Sequence, residues 1–424
     1  MGSAPPVGAG FSPLDDELGL LPGQLTPRLQ EVLVRLSTLI PSFAKATTEF
    51  AFWTQVEVHR TTTGRLTEAA GATAVALQTA EAEAILRTHP HPPHTSTRLV
   101  LSVDGAMVPL VHGQWAEART LAVGEPRVTS GAEGQAQVQT SALSYFSRLT
   151  DSSSFAELAT VEIQRRGIET AAQVGAVVDG AEWCQTFLDL HAPQAQRILD
   201  FAHAAGYVDA IGQTVGVDGP LRDAAGRRQL LHDLKHAGPK GVLTELREVV
   251  AAAHAPEETA SQLAYLEKRK EQMDYPTFQA AGWPIGSGSV ESANKLVVQE
   301  RMKGPGMHWA EANVNPMLAL RNAICNDRWD EVWIQIEAEQ RRAECVRRRE
   351  RQRQRRRGAH QDGAEPALAA AGGGAALGQQ DGGGCLGAEA PPKRPPAAQR
   401  RPAADHPWHK AWSIRRQREI ASRT

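Results

Sequence analysis

Three acidic side chains stand in settings where carboxylates commonly bind metal ions or substrates. Asp104 ends the run RLVLSVD and Asp179 ends the run VGAVVD, and a glycine follows each of them. Continuous apolar runs are typical of strands buried on both faces, and open α/β sheets bind ligands at the carboxyl ends of their strands. We therefore expect the two aspartates at adjacent strand ends, close enough to share a metal ion.

The third acid, Glu291, lies in the glycine-rich segment WPIGSGSVES. Ser287 and Ser289 are good N-cap residues, so the segment predicts the start of a helix with Glu291 near its positive end. Three ionised carboxylates repel one another when no cation lies between them. Because hard divalent ions prefer carboxylate oxygens, the sequence predicts a site for Mg²⁺ or Mn²⁺.

An Asp, Asp, Glu set suits phosphoryl transfer by two metal ions, which requires no nucleophile from the protein. Lys295 follows Glu291 by four residues and shares its helix face. It either holds a phosphate near the reacting bond or forms an ion pair with Glu291.

The elements that must position these acids indicate an α/β protein of more than one domain. The chain has 424 residues, of which 41% are hydrophobic, enough to bury a sizeable core. The pattern predicts an irregular segment 1–25, a helical segment 26–88, strands and helices over 97–184, an α-helical insertion over 185–283, a further core segment 284–340, and a basic, largely disordered tail over 341–424.

The helical segment 26–88 is compatible with a helix-turn-helix whose third helix is capped by the threonines at 61–63. Arg60 and Arg65 would then contact DNA. A plain helical bundle gives the same pattern, so both interpretations stay open.

The charge is uneven along the chain, although the formal net charge is only −2. Residues 341–424 hold 19 Lys and Arg against 8 Asp and Glu, which leaves 27 basic and 40 acidic residues for 1–340. A basic tail on an acidic body favours a polyanionic partner. No apolar run reaches membrane-spanning length and the four cysteines form no C-x-x-C pair, so we expect a soluble cytoplasmic protein without disulfides or membrane partners.

The segments around the acids resemble a known family. The matching segments are SVDGAMVPL, WAEARTLAVGE, VVDGAEW, LDFAHAAGYV, GWPIGSGSVESANKLVVQERMKGPGMHW and ALRNAICNDRWDEVW. Together they resemble bacterial insertion-sequence transposases of the ISKra group, which are related to Mutator-like DDE transposases. The resemblance covers roughly residues 14–333 and is most specific at WPIGSGSVES.

The resemblance implies an RNase H-like core with an all-α insertion, and it implies that Asp104, Asp179 and Glu291 are the DDE triad. It also places Asp200 and His203 on a D-x-x-H element, with a supporting role near the site or DNA. Further residues of the matching block could hold phosphates or stack on a base, although core packing of the tryptophan is an equal alternative. These residues are Arg301, Lys303, His308 and Trp309.

The function that the resemblance implies is Mg²⁺- or Mn²⁺-dependent cleavage of DNA at transposon ends and strand transfer into target DNA. The expected partners are terminal inverted repeats, target DNA and a second copy of the chain or more, in the bacterial nucleoid. Relatives often carry a cysteine-containing region before the PLDDELGLLPG segment, whereas this sequence has no cysteine there. This difference favours an alternative: a truncated copy, or a non-catalytic DNA-binding protein. A nuclease that only hydrolyses DNA is a third interpretation.

Overall fold

The computed structural model describes residues 25–130, 136–215 and 223–361. The chain divides into two units, Met1–Ala338 and Glu339–Thr424. Most of the predicted irregular segment 1–25, and the predicted tail beyond Gln361, lie outside the described residues.

The first unit is built on one mixed sheet of five strands, in the order β3-β2-β1-β4-β5. The strands β1, β2 and β3 are antiparallel neighbours, and β4 and β5 run parallel to β1. Their bounds are Arg98–Pro109 (β1), Trp115–Ser130 (β2), Ala136–Leu149 (β3), Gln173–Val178 (β4) and Gln196–Leu199 (β5). The α/β class predicted from the sequence is confirmed.

Helices precede the strands, connect some of them and follow the last one in the chain. Their bounds are Pro27–Leu39 (α1), Phe43–Thr54 (α2), Arg60–Thr88 (α3), Ser152–Arg166 (α4), Glu182–His191 (α5), Phe201–Val215 (α6), Ala224–Ala237 (α7), Pro239–Ala252 (α8), Glu257–Lys268 (α9), Tyr275–Ala280 (α10), Glu311–Cys325 (α12) and Trp329–Gln361 (α13). Between α10 and α12 runs α11, which starts as an α-helix over Gly288–Ala293, becomes a π-helix over Asn294–Gln299 and ends over Glu300–Met302.

Both faces of the parallel part of the sheet are buried. Leu99, Leu101 and Val103 of β1 pack with Phe155 of α4 and Phe187 of α5. On the opposite face, strand residues pack against α6 to α10 in one cluster and against α11 and α12 in another. This double burial explains why the strands read as continuous apolar runs.

Two predictions about elements were wrong. Residues 196–199 were expected to be helical, but they form β5, with Ile198 and Leu199 fully buried. Four residues are too few for periodicity to separate a strand from a helix. The cap of α3 lies before the predicted threonines, because Nδ1 of His59 accepts the N–H of Thr61 at 3.3 Å.

A row of asparagines on α12 covers the free edge of β3. Asn315, Asn322 and Asn326 each accept the backbone N–H and donate to the backbone C=O of one β3 residue, respectively Leu149, Ser147 and Tyr145. The three amides thus replace a sixth strand. A sheet edge without such cover exposes unpaired backbone groups.

None of the helices in the described part of the chain combines the length and the apolarity that a membrane span requires.

Candidate functional site

The pairing of β1 with β4 brings the two aspartates into one neighbourhood. The parallel register runs from Arg98 opposite Gln173 to Leu101 opposite Ala176, and Asp104 and Asp179 each follow the last pair by three residues. Because side chains alternate along strands, Asp104 lies on the face of β1 that also carries Val100, and Asp179 follows directly after the last residue of β4. The neighbourhood of the two acids was predicted from their matching sequence contexts.

The position of Asp104 within its strand differs from the prediction. It lies in the middle of β1, opposite Thr120 of β2, and β1 continues to Pro109. The parallel partner β4 ends at Val178. Asp104 therefore lies where β1 loses one neighbour while it keeps the other, and not at a free strand end.

The glycine-rich segment crosses this face of the sheet and brings Glu291 toward the aspartates. Trp283 lies against Gly175 of β4, where an added Cβ would stand 2.6 Å from its ring. Ser289 Oγ then donates to Ser102 Oγ of β1 at 3.3 Å. Glu291 lies in the first turn of α11 as predicted, and it is exposed and accepts from Ser287 Oγ at 3.3 Å.

Asn294 connects the helix of the third acid to the first acid. Its Nδ2 donates to Oδ2 of Asp104 at 2.9 Å, and the residue is only 4% exposed. Its Oδ1 is buried and has no hydrogen-bond partner among the described residues. The sequence analysis missed Asn294, although its place three residues after Glu291 put both on one side of a helix.

The pKa of Asp104 reflects the charges of the neighbouring acids. Burial raises the pKa of the Asp104 carboxyl, and the negative charges of Asp179, Glu117 and Glu291 raise it further, against the N–H of Gly105. Glu117 packs over Gly105 on the opposite face of the sheet and pairs with Arg119 at 2.8 Å. Glu117 is thus a fourth nearby charge that sequence reasoning missed, because only the β1–β2 register places it there.

Asp179 is fixed by its own loop and by two other elements. Its Oδ1 accepts the N–H of Ala181 at 2.9 Å and the thiol of Cys184 at 3.3 Å. Burial raises the pKa of the Cys184 thiol, so it remains a neutral donor. The backbone carbonyl of Asp179 accepts the hydroxyl of Tyr265 on α9 at 2.5 Å. The helical segment after β5 thereby supports the second acid.

Asp200 lies beside the site and accepts hydrogen bonds from backbone N–H groups. It is 5% exposed, and its two oxygens accept the N–H of Ser287 at 2.7 Å and that of His203 at 2.8 Å. It therefore joins the end of β5 to the glycine-rich segment and caps α6. His203 is exposed, and its ring meets that of Tyr207 edge-on with centroids 5.3 Å apart.

The residues predicted to contact phosphates or bases differ in exposure. Lys295, Lys303 and His308 are exposed. Arg301 is 2% exposed, with its guanidinium 5.0 Å from the rings of both Phe43 and Trp309 and its Nε donating to Ser37 O at 2.9 Å. Burial lowers the pKa of Arg301 to about 10.

Trp309 is itself 7% exposed and donates its Nε1–H to Met302 O at 3.2 Å. Arg301 and Trp309 therefore tie α11 to the α1–α2 region. Their burial leaves neither a surface for phosphate contact nor one for base stacking, and the core-packing alternative applies. Arg60 and Arg65 are exposed on the first turns of α3, as contact with DNA requires, and they belong to a part of the fold separate from the acids.

A divalent cation fits the chemistry of this donor set. Asp104 faces like charges that a cation would neutralise, and the unpaired Oδ1 of Asn294 is an oxygen without a donor. Asp104 and Asp179 are the residues that would hold the ion, with Glu291 nearby. No three His, Cys, Asp or Glu side chains within the described ranges form a ready-made metal cluster, which agrees with the exposure of Glu291.

No protein-family model matches the chain, and no curated protein sequence matches it.

Proposed function

We propose that this protein is a DDE-type DNA transposase, which cuts DNA at the ends of a mobile element and joins those ends to target DNA. The observation that carries this proposal is the gathering of three acids from distant segments. Asp104 and Asp179 each follow the last pair of the β1–β4 register by three residues, and the negative charges of Asp179 and Glu291 both act on Asp104.

The mixed sheet supports the proposal that this part of the chain is an RNase H-like core. Asp104 lies on its central strand β1, and Asp179 directly follows β4, the parallel neighbour of β1. The helices α6 to α10 would then be the all-α insertion, which begins after β5. The basic segment from residue 341 onward would contact DNA, and synapsis of two ends would require at least two copies of the chain.

The residues have separate tasks in this reaction. When bound, Mg²⁺ or Mn²⁺ supplies activation of the attacking oxygen and stabilisation of the leaving oxygen. Asp104 and Asp179 present carboxylate oxygens from a rigid sheet, and Glu291 adds a third from a helix. The exposed Lys295 would orient a phosphate, because it stands one helical turn from Glu291.

The test is cleavage of a duplex that carries the terminal repeats flanking the gene, with Mg²⁺ and the full chain. Asp104→Asn, Asp179→Asn and Glu291→Gln should each lower the cleavage rate by at least about a thousandfold, since metal-site acids act as a unit. Glu117→Gln is the matched control, because this nearby acid packs on the opposite face and should leave cleavage intact.

The products separate the proposal from its alternatives. Joined products are expected for a transposase, whereas nicks without joining would indicate a nuclease that only hydrolyses DNA. Specific binding without cleavage would indicate a non-catalytic DNA-binding protein. Cleavage that survives all three acid substitutions would refute the site.

A further inference from the structure

We propose that Asn294 is a further ligand of the divalent cation through its amide oxygen, while its amide nitrogen contacts the carboxylate of Asp104. This inference deepens the proposed function and rests on it for the identity of the cation. It concerns an amide that no acidic pattern in the sequence singles out.

The first argument is the direction of the hydrogen bond. Nδ2 of Asn294 donates to Oδ2 of Asp104 at 2.9 Å, which fixes the amide so that its nitrogen meets the acid. A planar amide whose nitrogen is held in this way has one position left for its oxygen. That oxygen belongs to a residue in direct contact with the acidic site.

The second argument is the unsatisfied oxygen. Oδ1 of Asn294 is buried, and no donor among the described residues reaches it. A buried acceptor without a partner destabilises the folded state. An asparagine whose only role was to position Asp104 would gain no stability from such an oxygen. Amide oxygens are common ligands of hard divalent ions, so a bound cation would satisfy it.

The third argument is the local helix geometry. Asn294 is the first residue of the π-helical stretch Asn294–Gln299, which interrupts α11 between two α-helical turns. A π-helical turn is rarer than continued α-helix and often marks a functional site. Here it begins at the residue that faces Asp104, and it changes the direction of the side chains that follow.

A change of ligand chemistry tests this directly. Asn294→Cys replaces a hard oxygen with a soft thiolate, which favours Cd²⁺ over Mn²⁺. If the side chain contacts the ion, the ratio of Cd²⁺ to Mn²⁺ affinity should rise at least about tenfold over the wild type. A thiolate-to-cadmium absorption band should appear in the ultraviolet. Titrations of the full chain with each metal alone, without DNA, give both readouts.

Asn315→Cys is the matched control. Asn315 is a half-buried asparagine on α12 whose amide is already satisfied by Leu149, and it lies away from the acids. The wild type and both variants share the thiol of Cys184 beside Asp179, so the metal affinities of each variant are compared with those of the wild type. The control should show the wild-type ratio of affinities and no new band.

An unchanged affinity ratio in a folded Asn294→Cys variant would overturn the inference. If that variant does not fold, Asn294→Leu replaces it, and Mn²⁺ binding should weaken by at least about tenfold; wild-type affinity there would also overturn the inference. DNA cleavage that depends on Asp104, without a Cd²⁺ effect, would reject the Asn294 ligand and keep the function. A Cd²⁺ effect without any DNA cleavage would keep the Asn294 ligand and reject the proposed function.

Discussion

Without a bound cation, the ionised carboxylate of Asp104 destabilises the folded protein. Its folded-state pKa is raised, so the native state holds the proton more tightly than the unfolded chain, and stability falls as the pH rises through that pKa. Asp104→Asn removes the buried charge. We expect the metal-free variant to have a higher free energy of unfolding than the wild type at neutral pH, in urea titrations with a chelator.

The difference between these two proteins should shrink at mildly acidic pH, because the wild-type carboxyl then becomes neutral as well. A variant that is less stable than the wild type at neutral pH would show that the charge of Asp104 does not destabilise the folded protein.

His191 provides a second pH-dependent contribution, away from the acids. It is buried in the core on α5, and its Nε2 donates to Ala156 O at 2.8 Å. Burial lowers its pKa from 6.5 to about 4. The unfolded chain therefore binds the proton first, and stability should be lost as the pH falls from about 6.5 to about 4, by on the order of 3 kcal/mol.

The substitution His191→Gln should flatten this part of the stability curve, because the amide stays neutral. Urea unfolding at a series of pH values measures it, with His232→Gln as the control at a side chain that is 63% exposed. A curve for His191→Gln that is as steep as the wild-type curve would show that other groups cause the acid loss.

At the scale of single residues, the sequence predicted the acids far better than their supports. An Asp-Gly after an apolar run is a local signal that indicates a strand and its acid together. Arg301 and Asn294 carry no such signal. Arg301 reaches the backbone of Ser37, which is 264 positions away in the chain, so its burial depends on tertiary packing.

At the scale of elements, the three asparagines of α12 satisfy the backbone groups at the edge of β3. Asn322 is 3% exposed and satisfies both backbone groups of Ser147. Asn322→Leu would keep the volume and leave both groups buried without partners. We expect a loss of roughly 2–4 kcal/mol in the free energy of unfolding. Asn313→Leu, outside the row, is the control.

A loss below about 0.5 kcal/mol would mean that water replaces the amide at the strand edge. Hydrogen exchange of the Ser147 N–H gives a second measure, since this amide should exchange faster in Asn322→Leu than in the control.

The contact between Gly175 and Trp283 sets how closely the glycine-rich segment approaches the sheet. A Cβ at Gly175 would come within 2.6 Å of the indole, so Gly175→Ala should displace Trp283 and the segment after it. We expect a loss of about 1–3 kcal/mol in stability and a fall in DNA cleavage, because Glu291 moves with the segment.

The control for this change is Gly206→Ala on α6, where an added Cβ meets nothing within 4 Å. It should raise stability slightly, by about 0.5–1 kcal/mol, through helix propensity. Full cleavage by Gly175→Ala would show that Glu291 does not depend on this contact.

Elements were predicted well where the periodicity was long and poorly where it was short. The strand that precedes Asp179 follows a clear apolar pattern. The strand β5 offered only four residues, and its burial is decided by its neighbour β4. The π-helical stretch has no signature in sequence periodicity, since it depends on where α11 docks.

For the whole molecule, the uneven charge predicts a salt-dependent DNA affinity that depends on the second unit. Arg349, Arg351 and Arg353 are exposed on α13. Their joint replacement with Gln should weaken DNA binding. It should also reduce the slope of log affinity against log salt by about 0.9 for each lost phosphate contact. Fluorescence anisotropy with a labelled duplex at several salt concentrations measures both.

The charge-matched control replaces three exposed arginines of the first unit with Gln. These are Arg28, Arg87 and Arg247. Equal slopes for both triple variants would mean that net charge alone, and not the arginines of α13, sets the affinity.

The hydrogen bond between Ser289 and Ser102 joins positions 187 apart in the chain. A contact of this kind forms late during folding, because the strands that receive the segment must first be in place. On the ribosome, β1 to β5 emerge well before α11 does. A nascent chain can therefore hold two of the acids in order while it still lacks the third. The acidic site therefore stays incomplete until most of the protein has been made.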